Sequence, residues 1–500
     1  MTALSPAHAP APARGLAPAY LPSLSTLWMP SFPLIERHVP PDSHLNWLVR
    51  LARLVWVIAL LPLHALLVLL HAASPVPPPT SWVPGASRRW TTTQRLLYPP
   101  VGRALWAITG IGRCPDVGDR WEYDVPLSTR VSLHHLVGGR ASVEAEVIEL
   151  SGAARREAWV RGEAADPAGV VLSRPVPCFW IEAKDTPTTA REGASGGAVA
   201  SEVPPFGSAD ARRRTRGGKV VMFLAGGGHV TGHPAEGGRC FSLALDANVT
   251  VFGVNYRKAT HPSRAFPGAL LDALAGYSHL VELGFDTIIL AGDSAGGGLC
   301  ATLLLYLTNT LARAPRGPPP SLVLPAGCVL YSPWVDVSLS TSCSPHNTAG
   351  ADDILNPSMM ACGARHYLSH LGALHPDLLA KQPAHSPAHL LSRHPFISPA
   401  LPSALEALQT LALAYSTERP FKWLVLSGSA EMLAPEIRAF VANLRRAAHA
   451  GSAAEDGSKS MEVEFIEEKD ETHCYFLWPS WVSPGAGRAL ERAGAFVRGM

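Results

Sequence analysis

The chain has 500 residues, 47% hydrophobic and 16% charged, enough apolar mass for a large core. A formal charge of +2 leaves no basic surplus for nucleic acid and no long charged tail. Eight scattered cysteines without a C-x-x-C pair argue against a zinc site, and no metal or organic cofactor is called for.

Residues 1–44 are rich in Pro, Ala and Ser and read as a disordered arm. The stretch from Leu54 to Ala73 is almost wholly apolar, with only His64 and His71 ionisable. Twenty helical residues rise about 30 Å, the thickness of a bilayer core, so 45–73 reads as a transmembrane anchor. It starts too far from Met1 for an ordinary cleaved signal peptide. Pro62 is tolerated in such a helix. Arg37, Arg50 and Arg53 before the segment outnumber Arg88 and Arg89 after it, which favours a lumenal catalytic side. The sequon Asn248-Val249-Thr250 opens an apolar strand and is read as a chance match.

Residues 74–117 read as a linker or cap segment, and 118–500 as the catalytic unit. Alternation in "RWEYDVPLS", "ASVEAEVIEL" and "VPCFWIEAK" predicts antiparallel strands. Residues 186–218 form a low-complexity insert whose "ARRRTR" run reads as a solvated face. Beyond it, short apolar strands alternate with helices: "KVVMFLA", "VTVFGVNY", "TIILA", "GCVLYS", "KWLVLSG" and "MEVEFIEE" are separated by helical patterns. This order predicts an α/β fold with a mostly parallel central sheet flanked by helices.

The sharpest signal is "TIILAGDSAGGG". A strand ends at Gly292-Asp293-Ser294-Ala295-Gly296, a G-x-S-x-G, and a long helix follows. A serine there sits on a strained strand-to-helix turn, and its flanking glycines relieve crowding. Serine is a weak nucleophile until a base takes its proton. The expected chain order is Ser, acid, His. His473 lies after the last strand and before the last helix, so it is the candidate base among 20 histidines. Glu431, directly beyond "KWLVLSG", is the candidate acid. Glu436 reads as a helix cap or solvent-facing residue, and Asp336 as a turn contact. "LAGGGHVTGHP" follows the strand where an oxyanion loop belongs. Glycines let N–H groups converge on a developing oxyanion, so Gly226, Gly227 and Ala295 are the expected donors.

These motifs resemble the hormone-sensitive-lipase-like branch of the alpha/beta-hydrolase superfamily. "GDSAGGG", "SPWVD" and "NYRKATHPSRAFPGALLD" carry the resemblance, over roughly residues 215–500 and more faintly from about 120. It implies an alpha/beta-hydrolase fold, a serine esterase activity and structural roles for Arg257 and Asp272. "GSAEML" is similar to fungal variants with Glu as the acid. One departure stands out: the family's first loop histidine, which braces the loop, is Ala225 here; the backbone donors remain, and His229 and His233 are the candidates to substitute. The apolar segment adds a narrower resemblance to fungal endoplasmic-reticulum steryl acetyl hydrolases, implying small acyl groups on hydrophobic alcohols. Two other readings stand beside it: a ligand-binding protein that lost catalysis, as in the plant gibberellin receptors, and an amide or formamide hydrolase. Segments 74–117 and 345–405 are expected to shape the cap.

Overall fold

Apolar residues that alternate along a strand must be covered on both faces of a sheet, and the central strands show this directly. On β3 (Lys219–Leu224), Val220, Met222 and Leu224 enter one core, and Val221 and Phe223 enter another. On β5 (Thr287–Asp293), Ile288 and Leu290 share the first core, and Ile289 and Ala291 the second. Such runs suit parallel strands buried on both faces. The computed structural model describes residues 45–73, 90–108, 141–148, 174–183, 218–236, 239–313, 322–342, 347, 353–368, 392–450 and 460–500. The arm 1–44, the strand expected at 120–128 and the insert up to 217 lie outside them.

Among the described residues the sheet has eight strands in the order β1-β2-β4-β3-β5-β6-β7-β8. The others are β1 (Ala141–Ile148), β2 (Val176–Ala183), β4 (Thr250–Val254), β6 (Gly327–Tyr331), β7 (Phe421–Gly428) and β8 (Met461–Glu468). β1 and β2, and β2 and β4, pair antiparallel; every later pair is parallel. The predicted mostly parallel sheet is therefore present, with its antiparallel part at the N-terminal edge.

Upstream, the described residues also form two helices. α1 spans Leu45–Ala73 and α2 spans Thr92–Ile108. α2 contains Pro99 and Pro100 well inside it. Pro99 has no N–H to offer the Arg95 carbonyl one turn back. α1 supplies the missing donor: His64 Nε2 lies 2.8 Å from that carbonyl. Arg103 donates to the other ring nitrogen of His64 at 3.3 Å. The proline thus creates an acceptor that the neighbouring helix fills.

From β3 the chain crosses to β4 through α3 (Arg239–Ala247), which packs in the second core. It returns from β4 past β3 to β5 through α4 (Gly268–Glu282), which packs in the first. The crossovers on opposite faces open a crevice at the carboxyl ends of β3 and β5, the usual binding position of an open parallel sheet. α5 (Ser294–Leu305), α6 (Pro357–Tyr367), α7 (Leu405–Ala412) and α8 (Ala434–Ala450) join α4 on its side, and α9 (Pro484–Arg498) joins α3. Caps set two starts: the Asn356 side chain accepts from Met359 N–H, and Ser483 accepts from Ala486 N–H. The long helix after the elbow changes at Tyr306 to a π turn ending at Leu311. There Thr308 and Asn309 bond back to the Leu304 and Leu305 carbonyls, and Asn309 also donates to Ala407 O.

Candidate active site

The strand ends in the crevice set the site. β5 stops at Asp293, and Ser294 takes φ 50°, a left-handed conformation costly for a non-glycine residue. A side chain on Gly296 would meet the Leu224 carbonyl oxygen at 2.1 Å, so only glycine lets α5 leave the strand here. β7 delivers Glu431 and β8 delivers His473. The structure brings all three together. His473 Nε2 lies 2.9 Å from Ser294 Oγ, and His473 Nδ1 lies 3.1 Å from Glu431 Oε2. With Nδ1–H donating to the carboxylate, Nε2 is left to accept the serine proton. Glu431 and His473 are buried, while Ser294 keeps partial exposure.

Burial pulls the His473 imidazole down, and Cys474 together with the Glu431 carboxylate more than offsets this. Its pKa stands well above that of an ordinary histidine. Burial raises Glu431, and the bond from His473 draws it part of the way back.

The two alternative acids sit elsewhere. Asp336 accepts from Ser338, Ser340 and Thr341 in the turn after β6, the turn contact expected of it. Glu436 does not face solvent. It is fully buried and accepts from the N–H groups of Val335 and Asp336 at 2.9 and 3.1 Å, tying α8 to that same turn.

The glycine loop needs a correction. Gly226 N–H donates to Asp293 Oδ1 at 2.9 Å, so it is not free to hold a substrate oxygen. Its Cα also packs on the elbow: a side chain there would meet Asp293 Oδ2 at 2.4 Å and Ser294 Cβ at 2.9 Å. Among the described residues, no acceptor takes the N–H of Gly227 or Gly228. Ala295 lies in the first turn of α5, where N–H groups lack intrahelical partners. Among the described residues, the N–H groups left open on this loop and at the start of α5 are therefore those of Gly227, Gly228 and Ala295.

The two histidines of this segment make other contacts. His233 accepts from Ala235 N–H, and His229 lies buried with its ring stacked on Tyr367, 3.8 Å between centroids. Burial, reinforced by Lys258, pulls both histidines down to about 3. Tyr256 braces the loop instead, its hydroxyl donating to the Ala225 carbonyl at 2.6 Å. Arg257 and Asp272 form a buried two-point pair at 2.6 and 3.0 Å behind it.

Asp353 escaped the reading of the sequence. It is buried, and accepts from Met432 N–H at 2.7 Å and from His473 N–H at 2.8 Å. One carboxylate thus joins the loop bearing the acid to the loop bearing the base. Burial pushes it up to about 6, against the pull of His473 and the two N–H groups. Its only sequence signal was the pair of acids in "GADDILNP". A second set of ties comes from α2, from Trp90 just before it and from Ser483 at the start of α9. The Tyr98 hydroxyl donates to Glu471 Oε2 at 2.9 Å, Ser483 donates to Glu471 Oε1 at 2.8 Å, and the Trp90 indole N–H donates to the Asp470 carbonyl. Glu471 stands two residues before His473.

The sequence pattern of the alpha/beta hydrolase fold matches residues 221–477. The chain belongs to the alpha/beta hydrolase fold family. Among curated proteins, the acetyl-hydrolase of Streptomyces hygroscopicus is 32% identical over 286 residues, 56% of this hydrolase and 76% of the relative. The ethyl acetate hydrolase of Pseudomonas putida is 45% identical over 94 residues, 17% of this chain and 29% of the relative. Among solved structures, an esterase of the bacterial hormone-sensitive lipase family aligns over 88% of this chain and 97% of its own, at 18% identity and TM-score 0.44. The enzyme is a hydrolase of the carboxylesterase type.

Proposed function

We propose that this hydrolase is a membrane-associated serine esterase that removes short acyl groups from hydrophobic alcohols, sterol acetates being the type. The observation that carries this reading is the continuous hydrogen-bonded chain Ser294 Oγ–His473–Glu431. Ser294 Oγ attacks the ester carbonyl as His473 Nε2 takes its proton, and the carbonyl π electrons move onto oxygen. The N–H groups of Gly227, Gly228 and Ala295 hold that oxyanion; losing one such donor costs roughly 3 kcal/mol in the transition state. Collapse breaks the bond to the alcohol, which leaves with the proton from His473. Water, deprotonated by His473, then releases the acid and restores Ser294. Glu431 orients the imidazole and stabilises its charged form.

The short acyl preference is supported by relatives named for acetyl and ethyl acetate hydrolysis. The hydrophobic alcohol is supported by α1, which is long and apolar enough to cross a membrane. Location at the endoplasmic reticulum follows the fungal resemblance. The test is turnover of nitrophenyl esters from acetyl to palmitoyl by the full-length chain in mild detergent, with Ser294→Ala alongside. Acetyl and butyryl esters are expected to turn over fastest, and the variant to lose ~10⁵-fold. Equal inertness of both folded proteins would favour the ligand-binding reading. Preference for anilides over esters would favour amide hydrolysis.

A further inference from the structure

The loop that carries the base is strained on both sides of it. Asp470 and Cys474 take φ 60° and 53°, and neither is glycine. A side-chain-bearing residue keeps such a left-handed conformation only where its surroundings impose it. Part of what imposes it comes from the strand ends. Cys474 N–H donates to Ser332 Oγ at 3.2 Å, and Asp470 N–H donates to Ser429 Oγ at 2.8 Å. The Glu471 carbonyl accepts from Ala430 N–H at 2.9 Å, one residue before the acid.

The rest comes from outside the sheet. The Trp90 indole N–H donates to the Asp470 carbonyl, so this strained residue is held at its N–H and at its C=O. The Tyr98 hydroxyl donates to Glu471 Oε2. The rings of Trp90 and Tyr98 meet edge to face, 5.2 Å between centroids, and Tyr98 also packs on Trp478 at 5.0 Å. Both donors are thereby fixed in direction. Glu471 is buried; burial raises its carboxyl, and the bonds from Ser483 and Tyr98 draw it back. A buried carboxylate is costly to leave short of a donor.

One turn further along α2, Gly102 lies against the other tie on the base. A side chain there would meet the Asp353 carbonyl oxygen at 2.9 Å and Ile354 Cα at 3.0 Å, and Asp353 Oδ1 accepts from His473 N–H. Tyr98 and Gly102, four residues apart, share one face of the helix. That face touches both loops that hold His473. The family pattern begins at residue 221, so it assigns nothing to Trp90 or Tyr98.

We propose that Trp90 and Tyr98 are positioning residues for the base: they hold Asp470 and Glu471 in the strained form that brings His473 Nε2 within 2.9 Å of Ser294 Oγ. This rests on the esterase reading above and assigns part of its active site to the segment before the sheet. Glu471 is two residues from His473, and misplacing a reacting group by about 1 Å costs ~100-fold in rate.

The test compares the full-length chain with Trp90→Phe, Tyr98→Phe and the double variant, which keep the rings and remove only the N–H and O–H. Nitrophenyl acetate hydrolysis gives kcat and KM, fluorophosphonate labelling gives the reactivity of Ser294, and thermal unfolding gives stability. Val497→Ala, in the core at the far end of α9, is the stability control. The kcat is expected to fall ~10-fold in each single variant and ~100-fold in the double, with labelling slowed in parallel and KM within twofold. Val497→Ala is expected to melt lower and keep the parent's kcat. A double variant with kcat within twofold of the parent overturns the inference, as does a loss no larger than that of Val497→Ala. A raised KM with unchanged kcat also overturns it and places these residues in substrate binding. If the double variant fails to fold, Tyr98→Phe alone decides by the same criteria. A parent chain whose Ser294 takes no fluorophosphonate overturns the esterase reading and this inference together; a reactive parent with unaffected variants overturns this inference alone.

Discussion

A proton moving from Ser294 to His473 and then to the leaving alcohol requires the imidazole to start neutral. Its pKa is held above the ordinary histidine value by surroundings that include Glu431. The acid limb of kcat/KM is therefore expected to have its midpoint above 6.5, with activity rising as pH rises through it. Glu431→Gln removes the carboxylate that stabilises the charged ring, so the midpoint should move down while kcat falls by at least ~100-fold. A pH–rate profile of both proteins checks this; an unmoved midpoint would detach Glu431 from the base. Asp353 acts on both loops through backbone N–H groups. In Asp353→Asn an amide NH2 replaces one acceptor and faces Met432 N–H or His473 N–H. Steady-state kinetics should show kcat reduced ~10- to 100-fold, the loss of a hydrogen bond to a charged group, with KM little changed. A kcat within twofold of the parent would reduce Asp353 to a bystander. Ser294, Glu431 and His473 were legible because each follows a recognisable strand within a few residues. Asp353 was not, because its two partners lie 79 and 120 residues away. Gly226 was misread for a related reason: a run of glycines says that N–H groups are accessible, but not which of them Asp293 has already taken.

Strands and helices were readable wherever one apolar pattern dominated, as in β3, β5 and β7. α2 was not, because "TTTQRLLYPP" holds two prolines that local rules place outside a helix. What settles it is tertiary: the freed Arg95 carbonyl finds His64, and Tyr98 finds Glu471. Tyr98→Phe leaves the buried Glu471 with one donor fewer, at a cost of ~1–3 kcal/mol. Thermal unfolding should show a melting temperature lower by a few degrees, since a change of this size moves a chain this long only modestly. An unchanged melting temperature would mean that the α2 contact adds nothing to the fold. The glycine loop has its own test. In Gly226→Ala the new methyl meets Asp293 Oδ2, so the loop must shift off the elbow. The expected result is a kcat loss of ~10-fold or more in a protein that still folds, its melting temperature lower by only a few degrees, reading displaced oxyanion donors rather than unfolding.

The described residues build a mostly parallel sheet covered on both faces, with its chemistry at the carboxyl ends and an apolar helix packed on α2. The catalytic unit and the apolar segment were both visible in the sequence. Their relation was not, since it depends on which face of α1 meets which face of α2. If the exposed apolar side of α1 brings the enzyme to lipid, a sterol acetate dispersed in vesicles should be hydrolysed more slowly by Ile58→Glu with Leu66→Glu than by the parent chain. A water-soluble acetate should be hydrolysed equally by both. Radiolabelled acetate release measures this, and equal rates on the sterol ester would separate the helix from substrate delivery.

The central claim is that Ser294 is a nucleophile activated by His473. Treating the full-length chain with a fluorophosphonate and mapping the adduct by peptide mass tests it most directly. The account predicts one adduct per chain, on Ser294, and none at comparable rate in His473→Ala. A folded protein that forms no adduct, or forms it on another residue, would contradict it.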